Sequence, residues 1–148
     1  MNLSEHFTLE ELVFSSTAVR LDIDNTPSAE VVDHLRVLSS GLEQVRKILN
    51  APMHINSGYR SPELNRKVNG APNSAHISGY AADFICPQFG TPLEIVRRVV
   101  DEPGLDFDQI IQEGTWVHLS FAPAMRRDIL TAHFSGGNGA TYSKGVRE

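Results

Sequence analysis

His76 and Asp83 are the first residues of this sequence whose types and spacing indicate chemistry. They lie seven positions apart in the run PNSAHISGYAADF, residues 72–84, and the residues between them are mostly small. A third candidate, His118, lies in the strand-like run TWVHLSF. Because alternate residues of a strand face opposite sides, His118 shares the polar face of this run with Trp116, while the apolar residues form the core face. The small residues leave clearance for bringing a loop histidine over a strand carboxylate.

Asp83 carries the strongest residue-level argument for a metal. In the strand-like run AADFI it shares a face with apolar neighbours, which is a poor environment for an unpaired carboxylate. Such a group needs a charged partner, hydrogen bonds or a cation. Two neutral imidazoles and one carboxylate suit zinc, with a fourth position left for water. The alternative is a satisfied core histidine and a turn aspartate, and the residues alone leave both interpretations open. The helical H-E-x-x-H pattern is absent from the sequence, which excludes that type of zinc peptidase.

Helix signals predict three of the elements that must position these residues. Thr8 and Glu11 form a capping box that predicts a short first helix. Apolar residues at helical spacing predict a long amphipathic helix in TPSAEVVDHLRVLSSGLEQVRKILN, with Pro27 at its first helical position. A second Thr-Pro start predicts another helix in TPLEIVRRVVDE. On the sequence, His34 falls on the polar side of the long helix and is expected to be solvated.

Strand signals predict a sheet that carries the candidate site. Strands are predicted in MHINS and YAADFIC, and FDQIIQEGTWVHLSF indicates a hairpin around a glycine-containing turn. The run DILTAHFSGGNGATYS indicates a second hairpin, and residues 135–148 are expected to form a tail with a mobile glycine-rich tip. We therefore expect an α+β fold with a single compact domain over residues 1–148. Its small antiparallel sheet would have helices packed on one side and the zinc site at the sheet.

Composition and charge exclude several classes of protein. The chain has 148 residues, of which 41% are hydrophobic and 21% charged, as in ordinary globular domains. Its net charge of −5 argues against non-specific nucleic-acid binding, which needs a basic surface. The single cysteine, Cys86, excludes an intrachain disulfide and a cysteine-rich zinc knuckle. No apolar run approaches the length of a membrane span, and the N-terminus lacks a Sec-type pattern, so we expect a protein made in the bacterial cytoplasm.

Three motifs resemble those of a known family. The runs SGYRSPELNRKVNG, SAHISGYAADF and WVHLSF resemble, in this order, the motifs of the zinc D-Ala-D-Ala carboxypeptidase family. The likeness is strongest to its small single-domain peptidoglycan peptidases from bacteria and phages. The motifs span residues 57–121, and the middle one is highly specific. The resemblance implies the fold of the DD-peptidases and of the related hedgehog-type domains.

The resemblance also implies roles for individual residues. Carried over position by position, it implies that His76, Asp83 and His118 bind zinc, which would activate water and polarise the scissile carbonyl. Arg60 matches an arginine that faces the substrate, where it would clamp a stem-peptide carboxylate or stabilise oxyanion charge. The alternative for Arg60 is a structural role in the turn.

Two further residues are candidates for substrate binding. Ser74 matches a small polar position that orients the loop or the substrate, and its alternative is a simple turn serine. Trp116, in the last motif, is the second candidate, because it precedes the second histidine on the same polar strand face.

The general base is where the sequence departs from many members of the family. They carry an acidic residue three positions before the second histidine, and here that position is Thr115. If Thr115 and the preceding glycine form a two-residue turn, Glu113 pairs with Trp116 and shares a face with His118. If the turn instead includes Glu113, the glutamate lies at its tip. Glu113 is the favoured base, and Asp108 or a residue outside the hairpin remain the alternatives.

The resemblance implies a zinc-dependent peptidoglycan peptidase that hydrolyses an amide bond of the stem peptide, either D-Ala-D-Ala or L-Ala-D-Glu. We expect a cell-wall-degrading enzyme of a phage or prophage. It would act in the periplasm or cell wall with the help of a holin, or travel in the virion on the phage tail. A cytoplasmic D-Ala-D-Ala dipeptidase and a non-catalytic zinc domain that binds wall fragments or a protein partner are the alternatives. The expected state is a monomer that neither binds nucleic acid nor inserts into a membrane.

Overall fold

The computed structural model describes residues 1–134 and 139–146. In these residues the helices are α1 (Leu9–Val13), α2 (Ser16–Leu21), α3 (Ala29–Leu49), α4 (Pro62–Lys67), α5 (Ala75–Ser78) and α6 (Pro92–Val100). The strands are β1 (His54–Ser57), β2 (Ala81–Ile85), β3 (Gln109–Gln112), β4 (Val117–Ser120), β5 (Asp128–Phe134) and β6 (Ala140–Lys144). The α+β fold class is therefore confirmed.

The strands form one six-stranded sheet in the order β1-β2-β4-β3-β5-β6. Neighbouring strands are antiparallel except β3 and β5, which pair in parallel. The expectation of an antiparallel sheet is confirmed for the other four strand pairs, and β3 with β5 is the exception. The physical reason is the path of the chain: it reverses direction after β4 and places β5 on the far side of β3, so β5 runs in the same direction as β3.

The long helix α3 starts later than its sequence pattern predicts. Ser28 is the N-cap, and its side chain accepts the Val31 N–H at 3.2 Å. A serine hydroxyl satisfies one of the unpaired N–H groups of a first turn, so the helix begins after it. The prediction that Pro27 occupies the first helical position is wrong, because this proline precedes the cap.

One face of the sheet packs on helices α3 and α6. Buried apolar residues of β2 and β4 join those of the two helices in one core: Leu35, Leu38, Leu42, Val45, Ala82, Phe84, Ile95, Val96, Val99, Val117 and Leu119. Packing leaves no room for a side chain at Gly41, where a Cβ would lie 2.5 Å from the Phe121 ring. Because strand side chains alternate, burying this face turns Asp83 and His118 to the other one.

The tail of the chain contributes the last strand of the sheet. β5 pairs antiparallel with β6, as the predicted second hairpin requires. The glycine-rich tip, residues 135–138, for which the sequence predicts mobility, lies outside the described residues.

Candidate metal centre and its cleft

His76 lies in α5, a single helical turn that is fixed at both ends. The Ser74 Oγ accepts the His76 N–H at 3.1 Å, and Gly79, with a φ of 84°, ends the turn in the left-handed conformation. The Arg60 N–H donates to the His76 carbonyl at 3.0 Å. Ser74 therefore orients the loop that carries His76, which is one of the roles that its motif position allows.

Asp83 and His118 face each other across two adjacent strands. They are directly opposite in the antiparallel ladder between β2 and β4. The residues on either side of them in both strands belong to the buried core, which fixes this register. A slip of one residue would bury both polar side chains and expose the core.

The three side chains converge on one point. The Nε2 of His76 lies 3.1 Å and the Nδ1 of His118 lies 3.0 Å from the same carboxylate oxygen, Oδ1 of Asp83. One nitrogen from each ring and the carboxylate oxygen all lie within 4.8 Å of one another. The side chains are 2%, 12% and 14% exposed for His76, His118 and Asp83. The predicted triad is thus brought together at a largely buried point of the sheet.

The hydrogen bond on the far side of His76 shows that a cation fits between these groups. The Nδ1 of His76 lies 2.7 Å from the Gly58 carbonyl oxygen, which can only accept, so Nδ1 carries the proton. Burial lowers the pKa of His76, against the opposing effect of Asp83, which favours the neutral ring. The lone pair of Nε2 then faces a carboxylate oxygen, and two acceptors at 3.1 Å need a cation between them. Two imidazoles and a carboxylate are a donor set that suits zinc, and a backbone carbonyl behind a ligating histidine is a frequent outer partner.

The carboxylate of Asp83 is held in its charged form. Burial alone would raise its pKa, but positive charge on the side of His76 and His118 lowers it well below the ordinary value. A charged carboxylate at a site this enclosed supplies the negative charge that a divalent cation requires. The electrostatics of the site therefore favour a metal.

The triad lies in a cleft of about 700 Å³ on the open face of the sheet. The lining contains all the residues that the sequence predicts for the site: Arg60, Ser74, His76, Asp83, Asp108, Glu113, Trp116 and His118. This volume falls in the range of pockets that enclose small ligands or short peptide segments.

Glu113 enters the cleft through the geometry of the β3–β4 hairpin. The Glu113 N–H donates to the Trp116 carbonyl at 3.0 Å, which leaves Gly114 and Thr115 as a two-residue turn. Ile111 is the partner of His118 in the ladder, and Glu113 lies two residues after Ile111. Glu113 therefore lies on the same face of the sheet as His118. Burial, together with the charge of Asp83, raises the pKa of Glu113. A carboxyl group with a raised pKa beside a metal centre has the properties of a general base.

Asp108, the alternative base, is already engaged. The Nε and NH2 groups of Arg126 donate to its two oxygens, each at 2.9 Å, and the Arg126 backbone N–H donates at 3.1 Å. The hydrogen bonds from Arg126 lower the pKa of Asp108, and Ser120 adds to this effect. A carboxylate whose lone pairs are taken by a guanidinium is a poor proton acceptor, so the geometry favours Glu113.

Arg60 lines the cleft and keeps donor capacity free. Its Nε is buried and has no hydrogen-bond partner among the described residues, and its NH1 makes a long contact of 3.5 Å to Ser57. Burial lowers the pKa of Arg60, and Asp83 opposes this effect. A buried donor without a partner is costly in the free protein, which favours a role in receiving an anionic or carbonyl group.

His34 is a correction to the sequence analysis. Its Nδ1 lies 2.7 Å from the Ser78 carbonyl, and its ring stacks on Tyr80 at a centroid distance of 4.2 Å. The prediction that it is solvated is wrong, because the loop between α5 and β2 folds onto this side of α3. His34 thus braces the segment that connects His76 to Asp83.

Three groups around the cleft were not predicted from the sequence. The Gly58 carbonyl sets the tautomer of His76, and Arg126 and Tyr142 line the cleft from the C-terminal part of the chain. Gly58 lies inside the SGYRS motif, so its position was visible but its role was not. Nothing in the sequence placed β5 and β6 next to the metal site.

Comparison with known proteins identifies one family. The model of the family described as Peptidase M15 matches residues 5–120, which include every predicted metal and base residue. No curated protein matches the chain. Among the described residues, the helices are all too short or too polar to cross a membrane.

Proposed function

The chain belongs to the Peptidase M15 family, whose members are zinc-dependent metallopeptidases, and from this premise we propose that it hydrolyses an amide bond in the stem peptide of peptidoglycan. The observation that carries the proposal is the cleft, in which the His76, Asp83 and His118 triad and Glu113 lie on the same face of the sheet. A metal site alone would fit a structural role. A metal site with a carboxyl group of raised pKa beside it, open to a cleft, fits hydrolysis.

The residues of the cleft divide the chemistry between them. His76, Asp83 and His118 would hold zinc, which when bound supplies Lewis-acid activation of water and of the scissile carbonyl. Glu113 takes the proton of the attacking water and later delivers it to the leaving amine. The Arg60 guanidinium binds a stem-peptide carboxylate or the oxygen of the scissile carbonyl as charge develops on it.

The cleaved bond is either D-Ala-D-Ala or L-Ala-D-Glu. Arg60 serves either choice, since a carboxylate lies near both bonds of the stem peptide. For the biological setting, the likeness to single-domain phage and bacterial enzymes supports degradation of the cell wall by a phage or prophage. A dipeptidase of the cytoplasm is the enzymatic alternative.

Mass spectrometry of defined muropeptides tests the proposal. We expect the zinc-loaded protein to release a fragment whose mass identifies the cleaved bond, and the same protein after chelation to release none. Free D-Ala-D-Ala in a parallel reaction distinguishes the dipeptidase. Intact muropeptides and intact dipeptide, with one zinc bound per chain, would contradict the peptidase proposal.

One observation favours a second candidate function, a non-catalytic zinc domain. Thr115 occupies the position where many family members carry an acid, and it lies in the exposed turn of the hairpin. Such a domain would bind zinc and wall fragments and cleave nothing. The mass-spectrometry experiment separates the two, because only a peptidase yields products.

A further inference from the structure

Tyr142 lies on the same face of the sheet as the proposed catalytic residues. In the ladder between β5 and β6 it is opposite Ala132. In the parallel ladder between β3 and β5, Gln112 is opposite Thr131. One residue further along both strands, the same register places Ala132 beside Glu113. Trp116, Glu113, Ala132 and Tyr142 thus form one row across four strands. The alanine in this row is small, so the Tyr142 side chain meets no bulky neighbour between itself and Glu113.

Tyr142 also lines the cleft, and its hydroxyl is available. The residue is 53% exposed and belongs to the wall of the cleft that holds the triad. Within residues 1–134 and 139–146 its hydroxyl makes no hydrogen bond. Burial, and then the charges of Glu113 and Asp83, raise the pKa of Tyr142, which keeps the phenol protonated and able to donate. Arg126, the other unpredicted side chain of the cleft, by contrast already directs its Nε and NH2 groups at Asp108.

The distance across the sheet decides what Tyr142 can touch. Three strand steps separate β4 from β6, or roughly 14 Å at the usual spacing. Side chains stand roughly perpendicular to a sheet, so the base of the Tyr142 side chain lies several strands away from the metal triad. Each residue of an extended peptide covers about 3.5 Å. A substrate that lies across the cleft would therefore meet Tyr142 a few residues away from the scissile bond.

We propose that Tyr142 is a substrate-binding residue that donates a hydrogen bond from its hydroxyl to a carbonyl or carboxylate oxygen of the stem peptide, away from the bond that is cleaved. This proposal rests on the proposed peptidase function. It makes β6 part of the active site, as the wall that selects peptides long enough to span the cleft. The contact is the same in the ground state and in the transition state, so its loss raises KM and leaves kcat unchanged.

The test compares Tyr142→Phe with wild type on a synthetic stem peptide that contains both the L-Ala-D-Glu and the D-Ala-D-Ala bonds. Removing one hydroxyl hydrogen bond is expected to raise KM by about 3- to 10-fold, with kcat within twofold. Thr141→Ala is the matched control, because this neighbour on the same strand faces away from the cleft and should change neither constant. Calorimetric titration of the same peptide into zinc-loaded Glu113→Gln, with and without Tyr142→Phe, gives the affinity without turnover.

The outcomes separate this proposal from the function on which it rests. A raised KM together with a weaker Kd by the same factor supports it. Unchanged KM and Kd in Tyr142→Phe, with wild-type cleavage intact, overturn the role of Tyr142 and leave the peptidase standing. A loss confined to kcat overturns it as well, since it would place the hydroxyl at the reacting atoms. A wild-type chain that binds zinc but neither binds nor cleaves the peptide overturns the peptidase function itself.

Discussion

Replacing Glu113 with glutamine is the sharpest perturbation of the proposed chemistry. The amide has the size of the carboxyl group but cannot accept the proton of water. General base catalysis contributes on the order of 10²–10⁴ in rate, so kcat should fall by this factor, equivalent to about 2.7–5.5 kcal/mol of barrier. Glu113 is not among the three residues that would hold the metal, so zinc content should stay at the wild-type value. KM should change little, because the side chain binds no part of the substrate in the ground state.

The pH dependence gives a second readout of the same residue. Burial raises the pKa of Glu113 above its ordinary value of 4.5, and the nearby Asp83 adds to the shift. The ionised form is the active base, so kcat/KM should rise with pH through this raised pKa and fall off on the acidic side. In Glu113→Gln the residual activity should lose that acidic limb.

The assay is product formation from a defined muropeptide by liquid chromatography, at several pH values, with zinc measured in each preparation. Asp108→Asn is the matched control, because it removes the carboxylate of the alternative base, which already accepts hydrogen bonds from Arg126. A Glu113→Gln protein with full zinc and activity within fivefold of wild type would refute the assignment of the base. If only Asp108→Asn lowered kcat by 10²-fold or more, which is the effect expected for loss of the general base, Asp108 would be the base instead of Glu113.

Three further predictions concern the metal, the core and the ion pair between Asp108 and Arg126. His76→Ala should abolish stoichiometric zinc and activity, whereas His54→Ala, at an exposed histidine on β1, should keep both. Zinc at a hundredfold excess over its Kd should raise the Tm by about 5–10 °C in wild type and in His54→Ala but not in His76→Ala, as calorimetry can check. Gly41→Ala should destabilise the protein by about 1–3 kcal/mol in urea titration, despite the better helix propensity of alanine, because the new Cβ would lie 2.5 Å from a buried ring. The control is Gly104→Ala, whose Cβ would have nothing within 4 Å and which should change stability by less than about 0.5 kcal/mol. Asp108→Asn should lower the free energy of unfolding by about 1–3 kcal/mol at pH 7. The pKa of Asp108 in the folded state lies below its value in the unfolded chain, so the carboxylate stabilises the fold fully above the unfolded value and loses this effect on acidification. The difference in stability between Asp108→Asn and wild type should therefore shrink as the pH falls below about 4.

Local patterns in the sequence predicted the elements that carry the site. The capping box of Thr8 with Glu11 is present, and the second Thr-Pro start does begin a helix, with Thr91 as the N-cap and Pro92 as the first helical residue. Both signals depend on residues within one turn. The β3–β4 hairpin follows the register expected for a two-residue turn. Alternation along β4 then sufficed to place His118 on the polar face, because the apolar neighbours of that strand are buried in the core.

The features that the sequence did not predict depend on contacts between distant segments. The parallel pairing of β3 with β5 requires the chain to pass beyond its own hairpin, and no local pattern encodes that path. The same limit hid the contribution of Tyr142, whose face is defined only once β6 has joined the sheet. His34 looked solvated from its helical position, and only the folded loop around Ser78 supplies its partner.

The geometry of a hairpin explains how Glu113 can serve as the proposed base in place of an acid at position 115. Position 115 lies in the turn, where the chain crosses between two strands, and position 113 is the last residue before it. Because strand side chains repeat their direction every two residues, Glu113 points to the same face as Ile111, and Ile111 is the partner of His118. A base can therefore move from one side of a hairpin turn to the other and still face the metal, provided that its environment raises its pKa. Glu113 meets this condition, since its carboxyl group is half-buried and feels the charge of Asp83. Asp108 does not, since Arg126 donates hydrogen bonds to it. The surroundings of Glu113 and Asp108 shift their pKa values in opposite directions, and only the folded chain defines those surroundings.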